Sequence, residues 1–599
     1  MTVTADLVDE KPPTGSSTAD EDTVPAAGDG SRAWTWVLWS AFALVVLPLV
    51  VSAFHLLLFH RSYKPNGDLA LTEMLTRDVG TRWLELGPIS RDGWYHPGPL
   101  MFYVLAAPYR LLGSTSVGLE VAALLVNIGA IAGITVLARR RGGPVVALLV
   151  LVGTAFLMRS MGPDQTRLAW NPYITVLPFA LLIFLTWALT GGSRFRWVLP
   201  AAVFVASFCA ESHIGYVPLA LPLLAIGAVW LVVATPRGER RRLVAPEAAG
   251  VGVFVLVWLP VLTQYLTNHP NNVDNIRNWF HSGGPRHERV HALADGWHLV
   301  NSAYGARPEW LLGTRPLEFT AEPRALYAPV FPGLLVLVAA ACAFLWWRKV
   351  AGARELIAVW FASSVIGVVA TGRTVGPIFA YRMGWSWVLG MLSGVFIAWA
   401  GWRLLTGWRP PLERRVLVPL CLVLVAVLAV VSSVAHVQAG SPDATSSRRL
   451  RQFVPAVEAA LRDRPGAIIV DGTTFDGAAY AVGLAFGLER DGYDARMLNS
   501  ADFAGKDRAY RRGPVREHVI VTSDMGVAYG VDNPGLRLVS YSGRVPLHEL
   551  LARAPNNTKR DQAIARRDLP TYQRLLAANR FVEPGSGVGI FVERKPGRD

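Results

Sequence analysis

The chain has 599 residues, of which 52% are hydrophobic and only 17% charged, and its mean hydropathy is +0.33. This composition excludes an ordinary soluble domain of that length, and apolar runs of about 20 residues predict membrane spans. The formal net charge of +14 at pH 7 would point to nucleic acid in a soluble protein. Much of it lies in short basic clusters between apolar runs, which membrane topology and anionic lipid explain, so nucleic acid is disfavoured as a partner.

The N-terminal part of the chain is predicted to be a tail followed by an anchor. Residues 1–32 are rich in acidic and small polar residues, which predicts a disordered cytoplasmic tail. The first apolar run, Trp34 to Phe59, is long and begins well inside the chain, as in a membrane anchor and not a cleaved signal. The three cysteines, Cys209, Cys342 and Cys421, each lie in an apolar run and suit small core residues better than a disulfide or zinc site.

Basic clusters set the predicted topology, because cationic loops stay on the cytoplasmic side. The clusters are Arg139-Arg140-Arg141, Arg194 with Arg196, Arg237 with Arg240-Arg241-Arg242, Arg348-Lys349, and Arg409 with Arg414-Arg415. The run 97–113 is short and broken by Pro99 and Pro108, and counting it as a span would place Arg139 to Arg141 outside. We therefore predict an interfacial or re-entrant helix there, and the second span at Val117–Leu137.

The prediction is a total of eleven spans, with the N-terminus inside and the C-terminus outside. After the first two they are predicted at residues 144–160, 174–190, 197–211, 215–234, 247–266, 328–346, 356–371, 385–404 and 416–437. The fold class is thus a multi-pass α-helical membrane domain, residues 33–439, with long outside loops at 60–116 and 267–327. Shorter outside loops fall near 161–173 and 372–384.

Residues 440–599 have the composition of a soluble domain, which this topology places outside the cytoplasm. Short buried strands are predicted at 467–470, 518–522, 536–541 and 588–593, with helices near 476–488 and 546–553. This alternation predicts a small α/β domain. No Gly-x-Gly-x-x-Gly directly follows a strand, so nucleotide binding is not inferred.

The first outside loop carries the strongest candidates for chemistry, Asp68 and Glu73. Asp68 follows an Asn-Gly turn before a helix-like segment, so its carboxylate either caps the helix or serves as a general base. Glu73 lies five residues on, about 140° around a helix, which favours a supporting or substrate-binding role within the catalytic set. His96 and Arg91, later in the loop, suit phosphate binding; the alternative for His96 is a solvated loop residue.

Further polar clusters lie near outside span ends and are predicted to bind substrate. They are Asp164 with Arg167, Glu211 with His213, and Arg373 with Arg382. Ionisable groups at membrane depth usually mark a site, although Glu211-Ser212-His213 also fits a tight turn and single arginines also serve as anchors. The loop with His281, His287 and His291 contains a Gly-Gly-Pro break and nearby charges, which favours a solvated loop over a metal site.

Residues 34–440 resemble in topology the GT-C superfamily of membrane glycosyltransferases that use polyprenyl-phosphate sugars. The resemblance includes the protein O-mannosyltransferase-like and aminoarabinose-transferase-like branches. Asp68 matches the acidic position of the first outside loop, which activates the acceptor in that family. The segment His96 to Tyr103 is similar to the juxtamembrane Lys-Pro-Pro-Leu-Tyr-Tyr-Trp motif, with His96 in place of lysine.

The resemblance implies sugar transfer from a polyprenyl-phosphate donor to an envelope glycan, lipid or protein acceptor at the outer face of a bacterial cytoplasmic membrane. It also implies inversion at the anomeric carbon. No metal or cofactor is predicted, and membrane lipids are expected partners. Two other classes stay open: a transporter or lipid flippase, and a non-catalytic envelope assembly protein. Polar candidates at span ends, with no repeat of the two halves, favour the enzyme over the carrier.

Overall fold

The computed structural model describes residues 27–283, 288–313, 322–326, 330–463, 465–498, 508–566, 571 and 581–594. Most of the predicted N-terminal tail lies outside these residues. The helices before residue 440 are α1 (Ala27–Phe59), α2 (Gly67–Asp78), α3 (Leu100–Leu111), α4 (Ser116–Arg167), α5 (Asn171–Ile174), α6 (Val176–Leu189), α7 (Leu199–Ser212), α8 (Val217–Ala234), α9 (Val244–Thr267), α10 (Asn272–Ser282), α11 (Leu293–Ser302), α12 (Glu309–Leu312), α13 (Gly333–Trp347), α14 (Ala353–Thr371), α15 (Gly384–Trp408) and α16 (Val418–Gln438).

Nine helical segments in the described part of the chain are long and apolar enough to cross a membrane. The longest is α4, whose 52 residues kink at Gly143, where φ is +84° and Pro144 follows. A glycine adopts this φ without strain, and the proline cannot continue the hydrogen-bond ladder. Dividing α4 at this kink and including the shorter apolar α13 gives the predicted eleven.

The proline-broken run after His96 forms a helix too short to span a bilayer. Helix α3 has 12 residues, about 18 Å of helix against a hydrocarbon core of about 30 Å. It packs against α2, α4 and α7. This length agrees with the predicted non-spanning helix.

The described part of the C-terminal domain is a five-stranded mixed sheet with helices, which agrees with the predicted α/β class. Its elements are α17 (Ala444–Ala460), β1 (Ala467–Gly472), α18 (Phe475–Arg490), β2 (Ala495–Met497), β3 (Val515–Ser523), α19 (Met525–Asp532), β4 (Leu536–Gly543), α20 (Leu547–Ala565) and β5 (Gly587–Glu593). The strand order is β2-β1-β3-β5-β4; β1 pairs in parallel with β2 and β3, whereas β5 is antiparallel to β3 and β4. Thr474 caps α18 by accepting a hydrogen bond from the Gly477 N–H at 3.1 Å.

One helix from the first outside loop belongs to both parts of the molecule. Ala70, Leu71 and Met74 of α2 are buried in the hydrophobic core of the C-terminal domain. The next apolar residue back along α2, Leu69, packs instead against aromatic residues of the membrane domain. Helix α2 therefore lies between the two domains, and it carries the candidate base.

Candidate active site

Asp68 lies in the first turn of α2 and contacts a side chain of the membrane domain. The N-cap residue is Asn66, whose side chain makes no cap hydrogen bond, so Asp68 is not the cap. Its Oδ2 accepts a hydrogen bond from Trp170 Nε1 at 3.0 Å. Asp68 keeps access to solvent although protein atoms surround it closely. Burial raises the pKa of this carboxyl, and the bond from Trp170 partly offsets the rise.

An aromatic cluster extends from this contact along the outside loops. The Trp170 ring lies 4.8 Å from that of Tyr381, and the Tyr381 ring is parallel to that of Phe379 at 5.7 Å. With Leu69 these side chains form one buried group. The cluster joins the start of α2 to the loop before α15.

Two arginines pack on this cluster. The guanidinium of Arg91 lies 4.6 Å from the centre of the Phe379 ring, and that of Arg382 lies 5.2 Å from the same centre. Arg382 Nε also donates to the Tyr381 hydroxyl at 3.2 Å. The N–H groups of a guanidinium point outward in its own plane and are not used by the contact with an aromatic ring. Both side chains can therefore still donate hydrogen bonds to an anion.

Two histidines that are 117 positions apart in the chain stack beside the start of α3. The rings of His96 and His213 are 4.6 Å apart and inclined by 30°. Nδ1 of His96 accepts from the Ile214 N–H, and Nδ1 of His213 accepts from the Gly215 N–H, both at 3.1 Å. Burial and the nearby charge of Arg382 lower the pKa of His96 to about 3. A neutral ring with an accepting Nδ1 carries its proton on Nε2, where it can donate.

A cavity of about 750 Å³ opens beside this pair. Its walls are mostly apolar and aromatic, and they come from the start of α8, from α10, from α14 and from the loop 372–384. Its charged or imidazole-bearing lining residues are Asp92, His213, Arg373 and Arg382. The space therefore combines an apolar wall with two guanidinium groups, an imidazole and one carboxylate.

Glu73 lies on another side of α2, away from the cavity. The carboxylate is fully buried, and its Oε1 accepts from Tyr109 Oη at 3.0 Å and from Arg490 Nη1 at 2.9 Å. Burial raises the pKa of Glu73, and the positive charge of Arg490 opposes the rise. Its catalytic role stays a prediction, and these contacts connect it to the C-terminal domain.

Glu211 binds the backbone at the start of α3. Its Oε2 accepts from the Leu100 N–H at 3.2 Å, and its carbonyl oxygen accepts from the Gly98 N–H at 3.2 Å. A Cβ on Gly98 would collide with this carboxylate. The protein itself thus supplies one partner for Glu211, and substrate binding by this residue remains a prediction.

Arg167 and Asp164 lie at the end of α4, next to the C-terminal domain. Arg167 is buried; its Nη2 donates to Asp164 Oδ1 at 3.0 Å and its Nη1 to the Gly440 carbonyl at 2.7 Å. Gly440 is where α16 leaves the membrane domain. The structure therefore places Arg167 at the junction of the domains, and its predicted contact with substrate remains untested.

The histidine-rich loop has ordinary partners where it is described. His291 contacts Asp295 through Nδ1 at 3.1 Å and the Gly376 carbonyl through Nε2 at 3.0 Å. His287 lies outside the described residues. Within the described part of the chain, no group of three or more His, Cys, Asp or Glu side chains is arranged to hold a metal ion.

Six predicted site residues thus meet around the aromatic cluster and the cavity. They are Asp68, Arg91, His96, His213, Arg373 and Arg382. Two further residues do not stand out in the sequence: Phe379, which contacts both arginines, and Arg490, the partner of Glu73. The sequence around Phe379 offers one signal, since Phe379-Ala380-Tyr381 places two aromatic residues directly before Arg382.

No protein-family model matches the chain, and no curated protein matches it. The structure superposes on crystal structures of ArnT from Cupriavidus metallidurans, one bound to undecaprenyl phosphate and one in the apo state. Each has a TM-score of 0.51 and 16% identity, covering 85% of this chain and 96% of ArnT. The archaeal oligosaccharyltransferase AglB from Archaeoglobus fulgidus, in complex with an inhibitory peptide and a dolichol-phosphate, scores 0.44 at 11% identity over 94% of this chain and 89% of its own. The superposition on ArnT shows that the chain has an ArnT-like fold, as the resemblance found in the sequence predicts.

Proposed function

We propose that the protein transfers a sugar from a polyprenyl-phosphate donor to a cell-envelope acceptor at the outer face of the bacterial cytoplasmic membrane. The observation that carries this proposal is the cavity beside the histidine pair. Its apolar wall suits a prenyl chain, while Arg373, Arg382 and His213 suit a phosphate. ArnT, which has the same fold, was crystallised with undecaprenyl phosphate.

The arrangement supports a direct displacement. Asp68 takes the proton of an acceptor hydroxyl, whose oxygen attacks the anomeric carbon while the bond from that carbon to the phosphate oxygen breaks. The polyprenyl phosphate leaves as an anion, and one displacement inverts the anomeric centre. Guanidinium groups and the neutral Nε2–H donors of His96 and His213 stabilise the charge that collects on the phosphate.

Asp68 suits the base better than Glu73 does. Asp68 keeps access to solvent next to the aromatic cluster, and burial raises the pKa of its carboxyl, which makes the carboxylate a stronger base. Glu73 has no exposed surface and already pairs with Arg490. We therefore assign proton abstraction to Asp68 and positioning of α2 to Glu73.

Donor binding is tested with undecaprenyl phosphate and two arginine variants of the purified chain. Arg382 and Arg409 flank the two ends of α15, whose 25 residues separate them by about 37 Å. We expect Arg382→Gln to weaken binding about tenfold or more, because it loses a charge-assisted hydrogen bond. Arg409→Gln is the matched control and leaves the affinity unchanged. Equal affinities for all three proteins would contradict the phosphate site.

Transfer itself is tested with radiolabelled polyprenyl-phosphate sugars and membranes of the source bacterium as acceptor. Wild-type protein is expected to release lipid phosphate and label an envelope component, while Asp68→Asn binds undecaprenyl phosphate normally but transfers sugar about 100-fold more slowly or worse. Transfer by Asp68→Asn at the wild-type rate would refute the assignment of the base. Counterflow of a lipid-linked sugar into proteoliposomes, with no glycosidic product, would identify a carrier instead.

A further inference from the structure

We propose that the C-terminal domain positions the candidate base, and that Arg490 is the positioning residue that connects the two. This inference rests on the proposed function, because it assigns a role to the contacts that hold the helix of Asp68. It gives the C-terminal domain a part in the reaction although none of the described residues of that domain lines the cavity.

Helix α2 cannot hold its own position. It has 12 residues, and isolated helices of this length are marginally stable in water. Its N-terminal cap residue, Asn66, makes no side-chain cap bond. Tertiary contacts must therefore determine where the helix lies, and with it the carboxylate of Asp68.

The C-terminal domain supplies the apolar contacts. Ala70 and Met74 have no exposed surface, and they lie in one hydrophobic core with Leu450 and Phe453 of α17. The backbone also approaches closely at the start of the helix, since a Cβ on Gly67 would lie 3.4 Å from the Cβ of Ala479 in α18. One face of α2 thus completes the core of the C-terminal domain.

An ion pair with a buried carboxylate lies in the middle of α2. Arg490, the last residue of α18, donates to Glu73 at 2.9 Å, and Tyr109 of α3 donates to the same oxygen. The Glu73 carboxylate has no exposed surface whereas the Arg490 side chain is 30% exposed, so loss of Arg490 would leave a buried charge uncompensated. The pair therefore orients α2 about its axis relative to both domains.

A second charged contact fixes the other end of the helix. Arg508 donates through Nη1 and Nη2 to both oxygens of Asp78, the last residue of α2, at 2.7 and 3.0 Å. Its Nε and Nη2 also reach Glu489 of α18 at 2.6 and 2.9 Å. Bidentate pairing of this type restrains direction as well as distance.

On the membrane side, Asp68 accepts the hydrogen bond from Trp170, and Glu73 accepts the one from Tyr109 of α3. Because α2 is short and behaves as a rigid unit, a shift at Glu73 moves Asp68 by a similar amount relative to Trp170 and the cavity. A displacement of about 1 Å at a reacting group can cost about 100-fold in rate. The contacts with the C-terminal domain are thus expected to act on the catalytic step more than on donor binding.

The test compares Arg490→Gln, Arg490→Lys and the double variant Glu73→Gln/Arg490→Gln in the full-length chain. The control is Arg462→Gln, which removes the ion pair of Arg462 with the buried Glu517 at 3.2 Å, in the same domain but away from α2. Each protein is assayed for Tm, for affinity toward undecaprenyl phosphate, and for kcat and KM in sugar transfer.

We expect Arg490→Gln to lower kcat about tenfold or more with donor affinity within about twofold of wild type. Arg490→Lys recovers part of kcat. The double variant recovers Tm, because no unpaired charge is buried, but not kcat. Arg462→Gln lowers Tm without changing kcat. If Arg490→Gln and Arg462→Gln lower Tm equally and both keep the wild-type kcat, the positioning role is refuted.

Failure of the proposed function gives a different pattern. In that case neither wild-type protein nor any of the position-490 variants binds undecaprenyl phosphate or transfers sugar. A protein that transfers sugar, loses that activity in Asp68→Asn and is insensitive to Arg490→Gln would keep the proposed function and overturn only the positioning role.

Discussion

The imidazole rings of His96 and His213 stack 4.6 Å apart, and each accepts a backbone N–H through Nδ1. The first ring enters from the loop before α3 and the second from the turn between α7 and α8. Their stacking therefore joins the juxtamembrane segment to the cavity wall. A positive charge on either ring would face the other ring and Arg382, so the pair is built for neutral histidines.

Acid is expected to destabilise the protein through His96. Its folded-state pKa is about 3 against 6.5 unfolded, so only the unfolded chain takes up a proton as the pH falls below 6.5. The contribution of neutral His96 to the free energy of unfolding is fully present above pH 6.5 and decreases as the pH falls toward about 3. Between pH 7 and pH 5 the loss is about 2 kcal/mol. Unfolding measured at both values should show a smaller loss for His96→Gln. His548→Gln, at an exposed position in α20, should follow wild type; equal losses in all three would contradict the prediction.

The hydrogen bond from Trp170 should lower the pKa of the Asp68 carboxyl and so affect the pH dependence of transfer. Trp170→Phe removes a donor that lowers the pKa of this carboxyl, so its pKa rises further. Because transfer needs the carboxylate, the acidic limb of the kcat profile is expected to move to higher pH, with kcat near neutral pH reduced. Asp68→Asn should lower kcat about 100-fold or more. The control Trp408→Phe, at an exposed ring, should leave the profile in place; an unmoved profile in Trp170→Phe would argue against Asp68 as the base.

Arg167 offers a test between a structural and a substrate-binding role. Arg167→Gln loses a charge-assisted hydrogen bond to the Gly440 carbonyl, which costs about 1.5–3 kcal/mol. We expect a lower Tm and unchanged affinity for undecaprenyl phosphate. Asp164→Asn should have a smaller effect, because the Asp164 side chain is 65% exposed. The reverse result, normal Tm and weakened binding, would support the substrate contact predicted from the sequence.

Thiol labelling of intact cells tests the orientation. Arg61 follows α1 on the side predicted to be outside, and Arg140 belongs to the first basic cluster, which is predicted to be cytoplasmic; both are exposed. An impermeant maleimide should label Arg61→Cys directly and Arg140→Cys only after permeabilisation. Wild-type protein measures the background from its three cysteines. The opposite labelling order would place the candidate site in the cytoplasm.

The helices and strands were predictable because their signals are local. All eleven predicted spans overlap apolar helices, and all four predicted strands are present, since periodicity and charge act within about 20 residues. The short strand β2 is not predicted from the sequence. It has three residues, of which two are buried, and this is too short to show an alternation of apolar and polar residues. Helix α17 was also missed, because its amphipathic sequence follows directly on the last span.

The candidate site can be predicted from the sequence only in part, because many of its contacts join residues that are far apart along the chain. Asp68 and Arg382 stood out by residue type and by their position near span ends. Their shared aromatic cluster depends on Phe379, an ordinary apolar residue in sequence. The partners Glu73 and Arg490 are more than 400 residues apart, and no local pattern connects two such positions.

The sharing of α2 has a practical consequence for dividing this protein into fragments. A piece beginning at residue 440 looks self-sufficient, since all five strands lie within it. It would nevertheless lack the apolar side chains of Ala70, Leu71 and Met74. The core residues that these side chains cover would then be exposed to water as a hydrophobic patch. Such a fragment would tend to aggregate, whereas fusing residues 64–80 through a flexible linker would restore the missing strip of core.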